Sequence, residues 1–99
     1  MITKKDILRI IQENEEKIKG HGVKQIGIFG SFAKSTQDRK SDVDILVEFR
    51  EGEKTFDNYM DLKFLLEELL SHEVDLVIRD ALKPRITPYV VREVEYARL

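Results

Sequence analysis

Three aspartates and one Gly-Ser step are the residues best suited to chemistry in this chain. Asp42 and Asp44 stand two apart at the head of an apolar run, Val43-Asp44-Ile45-Leu46-Val47. On a strand that spacing puts both carboxylates on one face, about 6.5 Å apart along the chain. Two acids held so close repel each other unless a proton or a cation lies between them. A hard divalent ion such as Mg²⁺ suits them, because it takes oxygen ligands and leaves room for water and phosphate. Asp75 opens a second apolar run, Val74-Asp75-Leu76-Val77-Ile78. It can complete the oxygen set or accept a proton. Carboxylates that share two ions match the two-metal arrangement for in-line phosphoryl or nucleotidyl displacement. Gly30-Ser31 supplies the complementary half. Glycine lets backbone come close to a phosphate, and a helix starting there turns unpaired N–H groups and its positive end toward an anion. Ser31 adds a hydroxyl, and Lys34, Arg39 and Lys40 in the following loop add positive charge.

These residues meet only if the elements bring them together. Residues 3–19 read as an amphipathic helix, with Ile7, Leu8, Ile11 and Ile18 at helical spacing, Thr3 and Asp6 as a capping pair, and Gly20-His21-Gly22 as its stop. Residues 23–29 read as a strand in which Gly27 marks a close backbone approach. A helical turn over 31–35, a polar loop, a buried strand over 43–49, a helix over 57–70 and a strand over 74–78 follow. A last helix over 87–97 is expected, capped by Thr87, with Pro88 in its first turn and Val90, Val91 and Val94 on its inner face. Strand, helix and strand over 43–78 form a βαβ crossover, so its two strands are expected parallel and adjacent. Their sequences match in register, which sets Asp44 beside Asp75 at about 4.8 Å strand spacing. The short link from 29 to 43 favours an antiparallel pair. Gly30-Ser31, Asp42, Asp44 and Asp75 then converge on one sheet edge.

Composition limits the partners. The chain has 99 residues, which suits one domain over 1–99 and not two cores. Seventeen Lys and Arg stand against 19 Asp and Glu, a formal net of −2. That balance argues against gripping bulk nucleic acid or an anionic membrane by charge. With no cysteine, disulfides and thiolate metal sites are excluded, and His21 and His72 are too few for a zinc site. No apolar run reaches membrane-spanning length, and the N-terminus has no leader pattern, so the chain reads as cytoplasmic. His21 and His72 read as boundary residues. Tyr59, Tyr89 and Tyr96 read as packing residues, and Phe29 and Phe32 as anchors of the Gly-Ser loop.

Each motif is common when it stands alone; their order is specific. Asp42 follows Ser31 by eleven positions and opens one apolar strand, and Asp75 opens the next. The segments Gly30-Ser31-Phe32-Ala33-Lys34-Ser35 and Ser41-Asp42-Val43-Asp44-Ile45-Leu46-Val47 resemble the signature of the polymerase-beta-like nucleotidyltransferases. The small size and element order are similar to the minimal nucleotidyltransferase (MNT) family, and the resemblance runs through Leu82-Lys83-Pro84-Arg85. It implies an α+β, two-layer fold with a small mixed sheet of three or more strands packed by helices. It also implies that Gly30 and Ser31, with Lys34, bind the phosphates of a nucleoside triphosphate, ATP above all. By the same resemblance Asp42 and Asp44 hold two magnesium ions. Asp75 is the third carboxylate, near the acceptor hydroxyl and its general base. The reaction is attack of a hydroxyl on the α-phosphate with loss of pyrophosphate. Many such proteins are antitoxins paired with a HEPN-domain toxin, and some transfer AMP to a tyrosine of that toxin. Two positions depart from the common family loop Gly-Ser-Phe-Ala-Arg-Gly: Lys34 stands for arginine and Ser35 for the second glycine. Lysine keeps the charge without the bidentate fork. If that glycine serves a positive φ, Ser35 sits there under strain.

Three readings remain open at this stage. The chain is an active transferase acting on a protein, or a binding module that neutralises its partner by occlusion. The third, transfer to a small molecule or an RNA end, lacks a segment for an acceptor-binding domain. Homo-oligomerisation is left open.

Overall fold

The computed structural model describes residues 2–99. Helix α1 (Lys4–Glu13) begins with the expected capping box: the Asp6 N–H donates to Thr3 Oγ1 at 3.3 Å, and the Thr3 N–H donates to Asp6 Oδ2 at 2.9 Å. The helix does not continue to residue 19 in one piece. Asn14 turns its side-chain amide back to the Ile10 carbonyl at 2.8 Å, and a second short helix, α2 (Glu15–Lys19), starts after it. A side chain that competes for backbone partners interrupts a helix in this way.

Strand β1 (Val23–Phe29), the one-turn helix α3 (Gly30–Lys34), strand β2 (Val43–Phe49), helix α4 (Phe56–Leu70) and strand β3 (Val74–Ile78) follow in the expected order. β1 pairs antiparallel with β2, and β2 pairs parallel with β3. A 3₁₀ turn (Arg79–Ala81) then leads to α5 (Thr87–Glu93).

The last helix corrects the sequence expectation twice. It stops at Glu93, and Glu95–Tyr96 forms a short strand, β4, on the free edge of β1. The sheet order is therefore β3-β2-β1-β4. Gly27 makes this possible: a Cβ there would meet Glu95 O at 2.7 Å and Tyr96 Cα at 3.0 Å. The close approach expected at Gly27 is the approach of β4. Thr87 is also not the cap. Ile86 holds the cap position, and Thr87 Oγ1 donates to the Lys83 carbonyl at 3.0 Å.

The two faces of the sheet differ. On one, Ile26, Ile28, Val43, Ile45, Val47 and Phe49 pack with Ile7, Ile11, Ile18, Leu62, Leu66 and Leu70 in one cluster. Strand alternation sends Asp44, Leu46 and Glu48 to the other. This architecture is the expected α+β fold with a mixed sheet. Among the described residues no helix is long and apolar enough to cross a membrane.

Candidate active site

The register of the central strands assembles the site. Asp44 of β2 pairs directly with Asp75 of β3, and on its other side with Phe29, the last residue of β1. The next residue, Gly30, has φ +71°, and a Cβ there would run into the Asp44 carboxylate, whose Cγ is 3.0 Å from that position. Glycine is needed at this position twice over, for its left-handed backbone and for the carboxylate against it. Asp44 is half-buried between these neighbours, whereas Asp42 and Asp75 are exposed.

This crowding has an electrostatic consequence. The Asp44 carboxyl is pushed up to about 6, first by burial, then by the negative charges of Asp75 and Asp42, and by a hydrogen bond to the Asp75 carboxyl. These groups share a deficit of positive charge. The donor set is all oxygen and suits a hard cation. Among the described residues no three His, Asp or Glu side chains close around one point as a ready-made cage. Mg²⁺ does not need one, since it is held by one or two carboxylates with substrate phosphates and water.

The Gly-Ser loop faces the same edge. α3 starts at Gly30, and its cap residue, Phe29, makes no side-chain capping hydrogen bond. Its leading N–H groups therefore point out from the positive end of the turn. Phe32 is fully buried and anchors the loop as expected, with the His72 ring edge-on at 6.0 Å; Phe29 is only half-buried. The Thr36 N–H closes the loop on the Ser31 carbonyl at 2.9 Å. Ser35 has φ +59° and ψ +35°, so the loop does require a left-handed residue where the common family pattern has glycine.

Not every candidate lies where its charge suggests. Lys34 Nζ is 3.0 Å from Glu93 Oε1, an ion pair that ties α3 to α5. Arg39 and Lys40 line a cavity of about 440 Å³ together with Asp42, His72 and Glu73. His72 Nδ1 lies 2.7 Å from the Leu70 carbonyl, which can only accept, so Nδ1 carries a proton and donates it. Neither Glu93 nor His72 was a site candidate from sequence. Glu93 meets Lys34, and the His72 ring meets Phe32, across distances in sequence that leave no local signal. Tyr59 packs half-buried with its hydroxyl donating to the Leu76 carbonyl at 2.6 Å, but Tyr89 is exposed and packs little, contrary to expectation.

Comparison with known proteins agrees with this geometry. The protein adenylyltransferase MntA of Thermococcus cleftensis is 38% identical over 97 residues, 97% of each chain. A solved structure described as a minimal nucleotidyltransferase superposes with a TM-score of 0.73 at 35% identity, covering 89% of this chain and 93% of that one. One chain of a solved complex of the tri-AMPylated Shewanella oneidensis HEPN toxin with MNT antitoxin matches in fold with a TM-score of 0.62 at 20% identity, over 90% of this chain and 70% of that one. The family profile of the nucleotidyltransferase domain matches residues 5–99. On that match, which spans nearly its whole length, the chain belongs to the nucleotidyltransferase-domain family.

Proposed function

We propose that the chain transfers AMP from ATP to a tyrosine hydroxyl of a HEPN-type partner and so acts as its antitoxin. The observation that carries this reading is the Asp44–Asp75 pair set against Gly30 on one sheet edge. An MntA relative named a protein adenylyltransferase, and the fold shared with one chain of the complex of AMPylated HEPN toxin and MNT antitoxin, support the acceptor class. The hydrophobic cluster that joins α1, α2, α4 and the sheet supports treating residues 1–99 as one catalytic domain.

Each residue has a role in this scheme. The Gly30 backbone and the Ser31 hydroxyl, at the positive end of α3, receive the β- and γ-phosphates. Lys34, in the same turn and paired with Glu93, adds positive charge beside these phosphates. Asp42 and Asp44 are the ligands for magnesium. When bound, that ion neutralises charge on the triphosphate and the carboxylates and aligns the α-phosphate for displacement. Asp75, exposed beside Asp44, takes the proton from the acceptor hydroxyl. The hydroxyl oxygen bonds to the α-phosphorus as the bond to pyrophosphate breaks.

A second reading has its own support. Ser35 occupies a left-handed position, and Lys34 is engaged by Glu93. Both would suit a nucleotide loop retained mainly for binding, with partner neutralisation by occlusion. The two readings separate on an Asp44→Asn chain expressed with its toxin. Under the catalytic reading the complex still forms but cells lose protection. Protection that persists with the complex would favour occlusion.

A further inference from the structure

The segment from Arg79 to Arg92 has a character unlike the rest of the chain. It contains Arg79, Lys83, Arg85 and Arg92 against a single acid, Asp80, while the whole chain is at −2. Among the described residues no carboxylate pairs with Lys83, Arg85 or Arg92; Arg79 alone approaches one, Glu48, at 3.7 Å. Apolar side chains stand between these cations. Tyr89 is 66% exposed and Ile86 43% exposed. Tyr89 and Arg92 are three apart on α5, and Ile86 is three before Tyr89, so the three share one outer face. Beside them a cavity of about 430 Å³ is lined by Arg79, Asp80, Leu82, Pro84, Thr87 and Pro88. Val90, Val91 and Val94, by contrast, are half-buried.

Position gives this surface its meaning. The Lys34–Glu93 ion pair fixes the last residue of α5 to α3, the turn that begins with Gly30. The Glu93 end of this surface therefore lies next to the Gly-Ser turn, whereas Arg79 follows the last residue of β3 and approaches Glu48, so a partner lying along 79–92 runs from the far end of the sheet toward the phosphate edge.

We infer that the Arg79–Arg92 surface docks the acceptor protein, and that the docked face of that protein is acidic with an apolar centre. The inference rests on the transferase reading above and names what that reading leaves open, the place and chemistry of acceptor recognition. Tyrosine and arginine around a small apolar centre are the side chains that dominate protein interfaces. Opposite charge brings the partners together and sets their orientation. A nucleic acid is disfavoured, because a chain at −2 with four cations broken by Pro, Ile and Tyr lacks the continuous positive surface that phosphate backbones need.

The test uses synthetic peptides with a central tyrosine flanked by Asp and Glu, by Ser and Gly, or by Lys, and a single-stranded RNA. Fluorescence anisotropy without nucleotide reads docking alone. The wild-type chain is expected to prefer the acidic peptide by about tenfold over the neutral one, roughly the worth of one close charge pair. A Lys83→Glu/Arg85→Glu chain should lose that preference and bind the Lys-flanked peptide instead, a gain that a misfolded variant cannot show. Tyr89→Ala should weaken docking of the acidic peptide while ATP affinity is unchanged. Equal binding of all three peptides overturns the proposal. So do tighter binding of the RNA, absence of docking by the acidic peptide, and self-association through this surface that Arg85→Glu abolishes. Docking without AMP transfer would leave the surface standing and reject the catalytic reading. Transfer with a KM for the acidic peptide indifferent to the charge reversal would do the opposite.

Discussion

Asp44 shows most directly how folding and chemistry pull against each other. Its carboxyl lies against Gly30, opposite Asp75 and two residues from Asp42, and titrates at about 6. The folded chain therefore holds this proton more tightly than the unfolded chain does. The stabilising contribution is complete in acid, below the ordinary carboxylate range, and is lost as pH rises through about 6. In metal-free buffer at neutral pH, Asp44→Asn is expected to raise stability by about 1 kcal/mol, after discounting the half-exposed position for solvent screening. Urea denaturation at about pH 3 and about pH 7.5 checks this: the gain should be absent at the lower pH and present at the higher. The same variant should lose transfer. Gly30→Ala works in the opposite direction. It forces an L-residue to φ +71° against a carboxylate, and should cost about 1–3 kcal/mol together with nearly all activity, as read by thermal denaturation and nucleotide transfer. Ser35→Gly should relieve the left-handed strain at φ +59° and stabilise the chain by about 0.5 kcal/mol, measured in the same urea titrations.

At the scale of elements, the reach and the limit of the sequence both have physical causes. The facing of Asp44 and Asp75 was legible because two strands joined by one helix must run parallel, and matching apolar runs fix their register. Gly30-Ser31 was legible because glycine at a strand exit has few purposes. β4 was not legible: a two-residue strand carries no periodicity, and Val94-Glu95-Tyr96 extends the helical spacing of α5 just as well. The split at Asn14 depends on one side-chain hydrogen bond. The Lys34–Glu93 pair joins residues that no local pattern relates. β4 itself makes a firm prediction. Gly27→Val places branched side-chain atoms where Glu95 O and Tyr96 Cα already lie, so β4 should detach from β1. Hydrogen exchange should then speed up at Ala97, whose N–H donates to the Ile26 carbonyl at 2.9 Å, while the β2–β3 pairing keeps its protection.

At the scale of the molecule, one helix-covered face of the sheet supplies stability and the opposite face supplies the acids. The apolar cluster of α1, α2, α4 and the sheet holds β1, β2 and β3 in register, and that register is what crowds three carboxylates at one edge. The crowding costs stability, and under the proposed function it is relieved by the magnesium that accompanies the nucleotide. α5 lies beside that edge, bound to α3 and presenting a basic, partly apolar surface outward. Under the proposed function, nucleotide and acceptor approach the same edge from different elements.

The most direct test of the central claim is transfer of label from ATP to a HEPN-type partner protein in the presence of magnesium. The wild-type chain is predicted to transfer label from α-labelled but not γ-labelled ATP, to a tyrosine, and to stop when the metal is chelated. Asp42→Asn and Asp44→Asn should each reduce transfer by at least about a hundredfold, the scale of losing a charge-stabilising group in the transition state. Transfer that survives both substitutions would contradict the account.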